Sequence, residues 1–464
     1  MIPDIFIKGQ YQQILSMSEF RKEKSTQTKL FLIVLVLISP LYLCAQAPQP
    51  DSLLQEVTLQ SAVDYAIKRQ PIIQQSLLDE RITDARIRSK LADWYPQVNF
   101  NYSLQHNFII QKTIIGGNAV QLGSENTSSG QFTASQYIFN RDVLLAKRTR
   151  GDVLLQARQS TSNDKINIAV NVSKAFYDIL STTQQIKVAD ANITRIERSL
   201  KDAYNQYKAG IVDKIDYKRA TITLNNTVAS KKSNEELLKA KLEYLKSLMN
   251  YPEKDSLHIV YDSLQMEKDI LLDTLQVPDY KSRIEYKLLE TQRRLLAANV
   301  QYNRWSYLPS VSANGAYNLN FQNNNLVKLY SQNYPNSFAA VTLGFPIFQG
   351  GKRKYNTLVA QLELDRNDFD IINLENMVNA GYAQALASYK SNLTNYLALK
   401  ENVALAKEVY DVIQLQYRSG IKTYLEVITS DADLRAAQIN YYNAMYQVLA
   451  SKIDVQKALG QIYY

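Results

Sequence analysis

Two stretches of this chain alternate apolar and polar residues with a period of two. From Gln97 to Phe108 the apolar positions are Val98, Phe100, Tyr102, Leu104 and Phe108, and Gln97, Asn99, Asn101, Ser103, Gln105 and Asn107 stand between them. From Pro309 to Gln322, Val311, Ala313, Gly315, Tyr317, Leu319 and Phe321 alternate with Ser310, Ser312, Asn314, Asn318, Asn320 and Gln322. Alternation of this length predicts β-strands with one apolar face, long enough to cross a bilayer at a tilt. A Gly/Asn/Ser-rich loop, Gly116 to Gly130, leads from the first strand to a less regular second one at 131–139. An Asn-rich loop, Asn323 to Ser337, leads from the third to a fourth, at 338–348, where Ala339, Val341, Leu343, Phe345 and Ile347 share a face. Four strands are therefore expected, at 97–108, 131–139, 310–322 and 338–348.

After each pair of strands the period changes to seven. Val172, Ile179, Ile186, Ile193, Leu200 and Tyr207 form one series, with Ala175, Ala189, Ile196, Ala203 and Gly210 on the companion position. Tyr389, Tyr396, Val403, Tyr410 and Tyr417 form another, with Ala385, Leu399, Ala406, Ile413 and Gly420, and Leu425, Ala432, Ile439, Tyr446 and Ile453 continue it beyond the turn. Sustained heptads predict long helices packed as coiled coils. A continuous helix from Arg141 to Ala209 would be about 100 Å long. The turns that break the two series are near-copies: Gln206-Tyr207-Lys208-Ala209-Gly210-Ile211 returns 210 residues later as Gln416-Tyr417-Arg418-Ser419-Gly420-Ile421. The chain thus reads as a duplicated β-β-α-α unit, residues 48–250 and 279–464, each unit opening on a helix. The first of these opening helices spans Thr58 to Asp93, with a kink expected at Pro71. Pro252 and Pro278 bound a mixed linker, 251–278.

Residues 1–47 have the pattern of an N-terminal extension and a signal peptide. Arg21, Lys22, Lys24 and Lys29 precede an apolar run from Leu30 to Leu43, and Ala45-Gln46-Ala47 supplies a cleavage pattern. Met17, ahead of the basic run, is a second candidate start. Cleavage after Ala47 would remove Cys44, the sole cysteine, and lower the net charge from +9 to +7. The alternative is a lipoprotein with Cys44 as its acylated first residue. The remaining cations are spread among Asp and Glu along helices as solvated faces, so no nucleic-acid patch is expected. His106 and His258 are isolated, with no carboxylate or cysteine constellation nearby, and make a poor metal site; no nucleophile–base pair or phosphate loop stands out. We therefore expect no catalysis, no cofactor and no metal.

Trp94-Tyr95-Pro96 and Trp305-Ser306-Tyr307-Leu308-Pro309 lead into the first strand of each pair. Trp94, Tyr95, Trp305 and Tyr307 suit a membrane-interface belt; packing of a helix–strand corner is the plainer alternative. Four amphipathic strands cannot close a barrel, and open edges are not tolerated in a bilayer. Three chains would supply twelve strands around an aqueous interior.

These features together resemble the TolC-type outer-membrane efflux proteins over the mature length. The residues that carry the resemblance are the duplicated unit, Pro96 and Pro309 at strand starts, the Phe345-Pro346-Ile347-Phe348-Gln349-Gly350-Gly351 motif and the two Tyr-x-x-Gly turns. Tyr137-Ile138-Phe139-Asn140 stands for the motif in the more divergent first unit. The resemblance implies an α+β membrane protein: a homotrimer whose 12-stranded barrel, in outer-membrane lipid, continues as a periplasmic α-helical barrel. It also implies partners, a periplasmic adaptor and an inner-membrane RND-type or ABC-type transporter, and export of small molecules or polypeptides. The turns at Gly210 and Gly420 become the periplasmic tips, closed by links between Asp216 and the pair Tyr417 and Lys422. Glu426 matches an acidic position lining the constriction, while Thr429 occupies a second such position. An exposed ion pair of little energetic weight is the plainer reading of the charged tip residues. The competing reading of the whole chain is a periplasmic coiled-coil adaptor or scaffold without a pore.

Overall fold

A computed structural model describes residues 56–260 and 263–462. The signal pattern, Met17 and Cys44 lie outside the described residues. The chain is mostly helical. A short strand β1 (Glu56–Val57) precedes α1 (Leu59–Arg69) and α2 (Pro71–Ala92). Pro71 sits at the first position of α2, where its missing N–H costs nothing, so the expected kink is a break between two helices.

The strand β2 (Gln97–His106) is followed by a small hairpin of β3 (Lys112–Ile115) and β4 (Asn118–Gln121), then β5 (Asn126–Phe139). Two long helices follow, α3 (Arg141–Lys208) and α4 (Lys214–Met249). The linker holds β6 (His258–Ile259), parallel to β1, and α5 (Ser263–Asp269). Then come α6 (Ile284–Arg304), β7 (Ser310–Asn323), β8 (Asn336–Gly344), α7 (Lys352–Arg418) and α8 (Tyr424–Ala458).

The four long strands make one antiparallel sheet in the order β2-β5-β7-β8. Its register puts Val98, Phe100, Tyr102 and Leu104 beside Ala134, Phe132, Gly130 and Ser128, then Gly315, Tyr317, Leu319 and Phe321. Much of this apolar face is exposed, Val98 at 70%, Phe100 at 56% and Val341 at 71%, while Ser128 is covered. The opposite face carries Asn, Gln, Ser and Thr, joined across strands by Asn318–Asn336 (2.6 Å), Ser129–Asn320 (3.0 Å) and Asn314–Thr342 (3.1 Å). Among the described residues, β2 and β8 each leave one edge unpaired.

Strand limits differ from the sequence expectation by one or two residues at the end of β2, the end of β7 and the start of β8, and by more elsewhere. β5 begins at Asn126, five residues before the expected 131, because its polar start pairs on both sides. There Asn126 is buried, donating to the carbonyls of Asn323 and Asn324 and lying 2.7 Å from Nδ1 of His106. The connection from β2 to β5 holds the β3–β4 hairpin, 112–121, which is turned at Gly116-Gly117 and overlaps the start of the expected 116–130 loop. β8 ends at Gly344, ahead of Pro346, which cannot donate to a ladder.

The long helices pack through a shared seam. α3 buries Val172, Ala175, Phe176, Ile179, Ala189, Ile196 and Ala203, and α8 buries Val427, Leu434, Met445, Val448, Leu449 and Ile453. Polar rungs cross the same seam: Lys174–Asp454 at 2.6 Å, Gln185–Asn443 at 2.7 Å and Arg195–Asp431 at 3.2 Å. α7 buries much less of its surface, leaving Leu358, Leu362, Phe369, Ile372, Leu405, Val409 and Val412 exposed.

Candidate gate and pore-lining residues

Both helical turns are built alike. Gly210 (φ +74°) and Gly420 (φ +75°) take the left-handed conformation that ends a helix at little cost only for glycine. The amides of Ile211 and Ile421 bond back to the carbonyls of Gln206 and Gln416, each at 2.9 Å, satisfying otherwise orphaned acceptors. Asp213 caps α4 through the Ile215 amide. Thr423 caps α8 in a reciprocal box with Glu426, whose Oε2 accepts from the Thr423 amide at 2.8 Å.

Above the turns a small core of Ala203, Ala220 and Tyr424 gathers Leu200, Tyr217, Tyr417 and Ile428. It joins both hairpins. The Tyr417 hydroxyl donates to Oε1 of Gln206 on α3 at 2.9 Å, and its ring lies 5.7 Å from that of Tyr424. Burial pushes the Tyr424 phenol up to about 12 and raises that of Tyr417; the nearby carboxylate of Asp216 adds to both.

Lys422 and Glu426 are paired with each other, Nζ to Oε1 at 2.6 Å. The bond from Lys422, then the Thr423 amide, hold the Glu426 carboxyl down at about 2. Within the chain, therefore, Tyr417 is bonded to Gln206 and Lys422 to Glu426, while Asp216 stands near Tyr417 and Tyr424. Thr429 bonds its hydroxyl to the Leu425 carbonyl, an ordinary helix-surface arrangement.

A second polar link, absent from the sequence expectations, lies just above this core. Arg195 of α3 binds Asp431 of α8 at 3.2 Å, donates to Oδ1 of Asn192, and lies 5.6 Å from the Tyr410 ring of α7. Asp431 is buried, and burial raises its carboxyl above the usual range despite the guanidinium beside it. Asp431 falls in line with Tyr424, Val427 and Leu434 on the buried side of α8, where a charge needs a buried partner.

At the junction of sheet and helices, Tyr95 and Tyr307 are exposed at 70% and 50%, and Trp94 at 39%. Each ring cluster has a cation nearby: Lys147 is 6.0 Å from the Trp94 ring, Arg148 5.9 Å from Trp305 and Arg353 4.8 Å from Tyr307.

The profile of the outer membrane efflux protein family matches residues 62–250 and 288–461, which is most of the chain. The chain belongs to that family. Its relatives include outer membrane protein TolC of Escherichia coli, 19% identical over 73% of this chain and 70% of TolC. Outer membrane protein OprJ of Pseudomonas aeruginosa is 21% identical over 88% of this chain and 85% of OprJ. Among solved structures, the MtrE outer membrane channel of Neisseria gonorrhoeae in its open state superposes with a TM-score of 0.69 at 19% identity, covering 87% of this chain and 88% of MtrE. The CmeC outer membrane channel of Campylobacter jejuni gives 0.69 at 16% identity, over 87% and 85%. At such identities the superpositions establish the shared fold. As an efflux-family member, the protein is located in the outer membrane.

Proposed function

We propose that three copies of this chain join edge to edge, β8 of one to β2 of the next, and close a twelve-stranded barrel around a polar lumen. The observation that carries this reading is the sheet itself: one face apolar and exposed, the other uncharged and polar, and two edges unpaired. In a bilayer each unpaired edge group costs several kcal/mol, and closure removes that cost. The exposed apolar stripe of α7 finds its partner in the same assembly, as a helical tube in the periplasm. The two β-β-α-α units, 48–250 and 279–464, become equivalent parts of this tube, with 251–278 strapped across it and 1–47 removed on export.

In this reading the protein is a passive exit duct without catalysis. A periplasmic adaptor and an inner-membrane transporter, of RND or ABC type, hand small molecules or polypeptides to it. The tips at Gly210 and Gly420 hold the duct closed. Asp216, beside Tyr417, takes part in links that tie Tyr417 and Lys422 across the hairpins, and Glu426 faces the constriction. Purified protein in planar bilayers should show small, uniform conductance steps. Y417F combined with K422S should raise the step size several-fold; unchanged steps from an assembled variant would place the gate elsewhere.

A further inference from the structure

Three stretches of cationic sequence converge where the sheet meets the helices. Arg141 to Arg150, the start of α3, holds four cations and one acid. α7 opens with Lys352-Arg353-Lys354 and has no acidic residue in its first turn. Arg304 ends α6. Helix starts favour acids, since the backbone amides there already present partial positive charge. Lys352-Arg353-Lys354 stands at such a start and works against the dipole of α7, a cost that a neighbouring anion would offset.

Inside the chain little does. Arg353 is occupied, donating to the carbonyls of Pro346 and Ile347, and Arg150 lies 3.6 Å from Asp84. Lys147, Arg148, Arg304, Lys352 and Lys354 are exposed and pair with no carboxylate among the described residues. Beside them stand large apolar side chains open to solvent: Ile347 and Phe348, each 87% exposed, Tyr95 at 70% and Phe345 at 57%. Phe345 and Ile347 follow directly on the end of β8, whose Val341 and Leu343 belong to the apolar face of the sheet.

We propose that this collar is a docking surface for anionic phospholipid headgroups of the membrane leaflet at the helix end of the barrel. The proposal rests on the reading of the sheet as membrane-spanning and adds to it a lipid class and the residues that select it. Ile347, Phe348 and the rings of Trp94, Trp305 and Tyr307 enter the acyl–headgroup boundary. Lys147, Arg148, Lys352 and Lys354, in the opening turns of α3 and α7, meet the phosphates. A zwitterionic surface satisfies the apolar residues but not the cations; an anionic one satisfies both.

The chain carries its own reporters, because its two tryptophans, Trp94 and Trp305, both lie in the collar. The assembled protein is reconstituted into phosphatidylcholine vesicles with about one-fifth brominated lipid, either phosphatidylglycerol or phosphatidylcholine, and tryptophan quenching is compared. The proposal predicts about a tenfold preference for the brominated phosphatidylglycerol at low salt, falling to under about threefold at 1 M, where the Debye length is about 3 Å. K147Q/K352Q/K354Q should abolish most of the preference and leave quenching by brominated phosphatidylcholine as it was. Equal quenching by both lipids in the parent would overturn the proposal while leaving the membrane reading intact. Preference that survives the triple substitution, or that ignores salt, would also overturn it. Quenching by neither lipid would remove this junction from the bilayer, and the membrane reading of the sheet would fall with the proposal.

Discussion

Replacing Arg195 with methionine removes the guanidinium and keeps most of the aliphatic bulk. What remains is the Asp431 carboxylate, with a side chain only 9% exposed. Breaking a buried pair from one side costs about 3–5 kcal/mol, because the surviving charge stays desolvated. Two features of the site reduce that figure. A cavity of about 20 Å³, bordered by Tyr410, Tyr424 and Asp431, has room for a single water, and Arg435 contributes some favourable field. We expect about 2–3 kcal/mol, released as local opening of the tip. Hydrogen exchange reads such opening directly, and the cost corresponds to roughly 30- to 150-fold faster exchange in the peptides covering residues 424–434. The reverse substitution, D431N, should cost under about 1 kcal/mol: the amide oxygen still accepts, and Arg195 keeps Asn192 and the Tyr410 ring.

The pH dependence has a definite sign. The folded carboxyl of Asp431 lies above its ordinary value, held up by burial, so its contribution to stability is fully present below the ordinary carboxylate pKa and is lost as pH rises through the folded value. In R195M the cation that lowers it is gone and the folded value rises further, so the penalty should shrink as the carboxyl is protonated. Exchange in parent and R195M should therefore converge as pH falls from neutral into the ordinary carboxylate range. The reasoning is refuted if R195M exchanges within about threefold of the parent at neutral pH, or if the difference is the same throughout that range.

E426Q leaves Lys422 without its partner, so the reversal potential in a salt gradient should move toward anions; an unmoved value would take both residues out of the pore. Glu426 has its folded carboxyl depressed to about 2, so the capping box at the start of α8 should persist on acidification until pH falls from about 4.5 toward 2. Fraying of α8 that begins near neutral pH would contradict that assignment. G420A puts a Cβ into open space but at φ +75°, so its cost of about 1 kcal/mol comes from the backbone alone. G381A, in the middle of α7 with nothing within 4 Å, should instead stabilise by about 0.5–1 kcal/mol. Thermal unfolding of the two variants under one protocol should move in opposite directions.

The long helices were legible because a period of seven is written over ten or more turns, and Gly210 and Gly420 mark their ends. The strands were legible only where alternation holds. Asn126 to Gly130 has no apolar partner positions, and its strand conformation depends on ladders to β2 and β7 that the local sequence cannot reveal. At the tip, Lys422 and Glu426 are four residues apart and form an i,i+4 pair; read separately, as a gate cation and a pore acid, they hid that pairing. Arg195 and Asp431 were hidden for a different reason. Charges on a heptad helix are ordinarily solvated, and only the packing of α3 against α8 turns these two inward. The apolar side of α7 shows the opposite limit, since a stripe buried only between chains reads like any core stripe.

The proposed duct requires closure by three chains. Native mass spectrometry of the protein, purified in mild detergent from outer membranes, measures that stoichiometry directly. The account predicts one species at three times the mass of the chain that begins near Pro48. A stable monomer would leave the sheet with two bare edges and contradict the account.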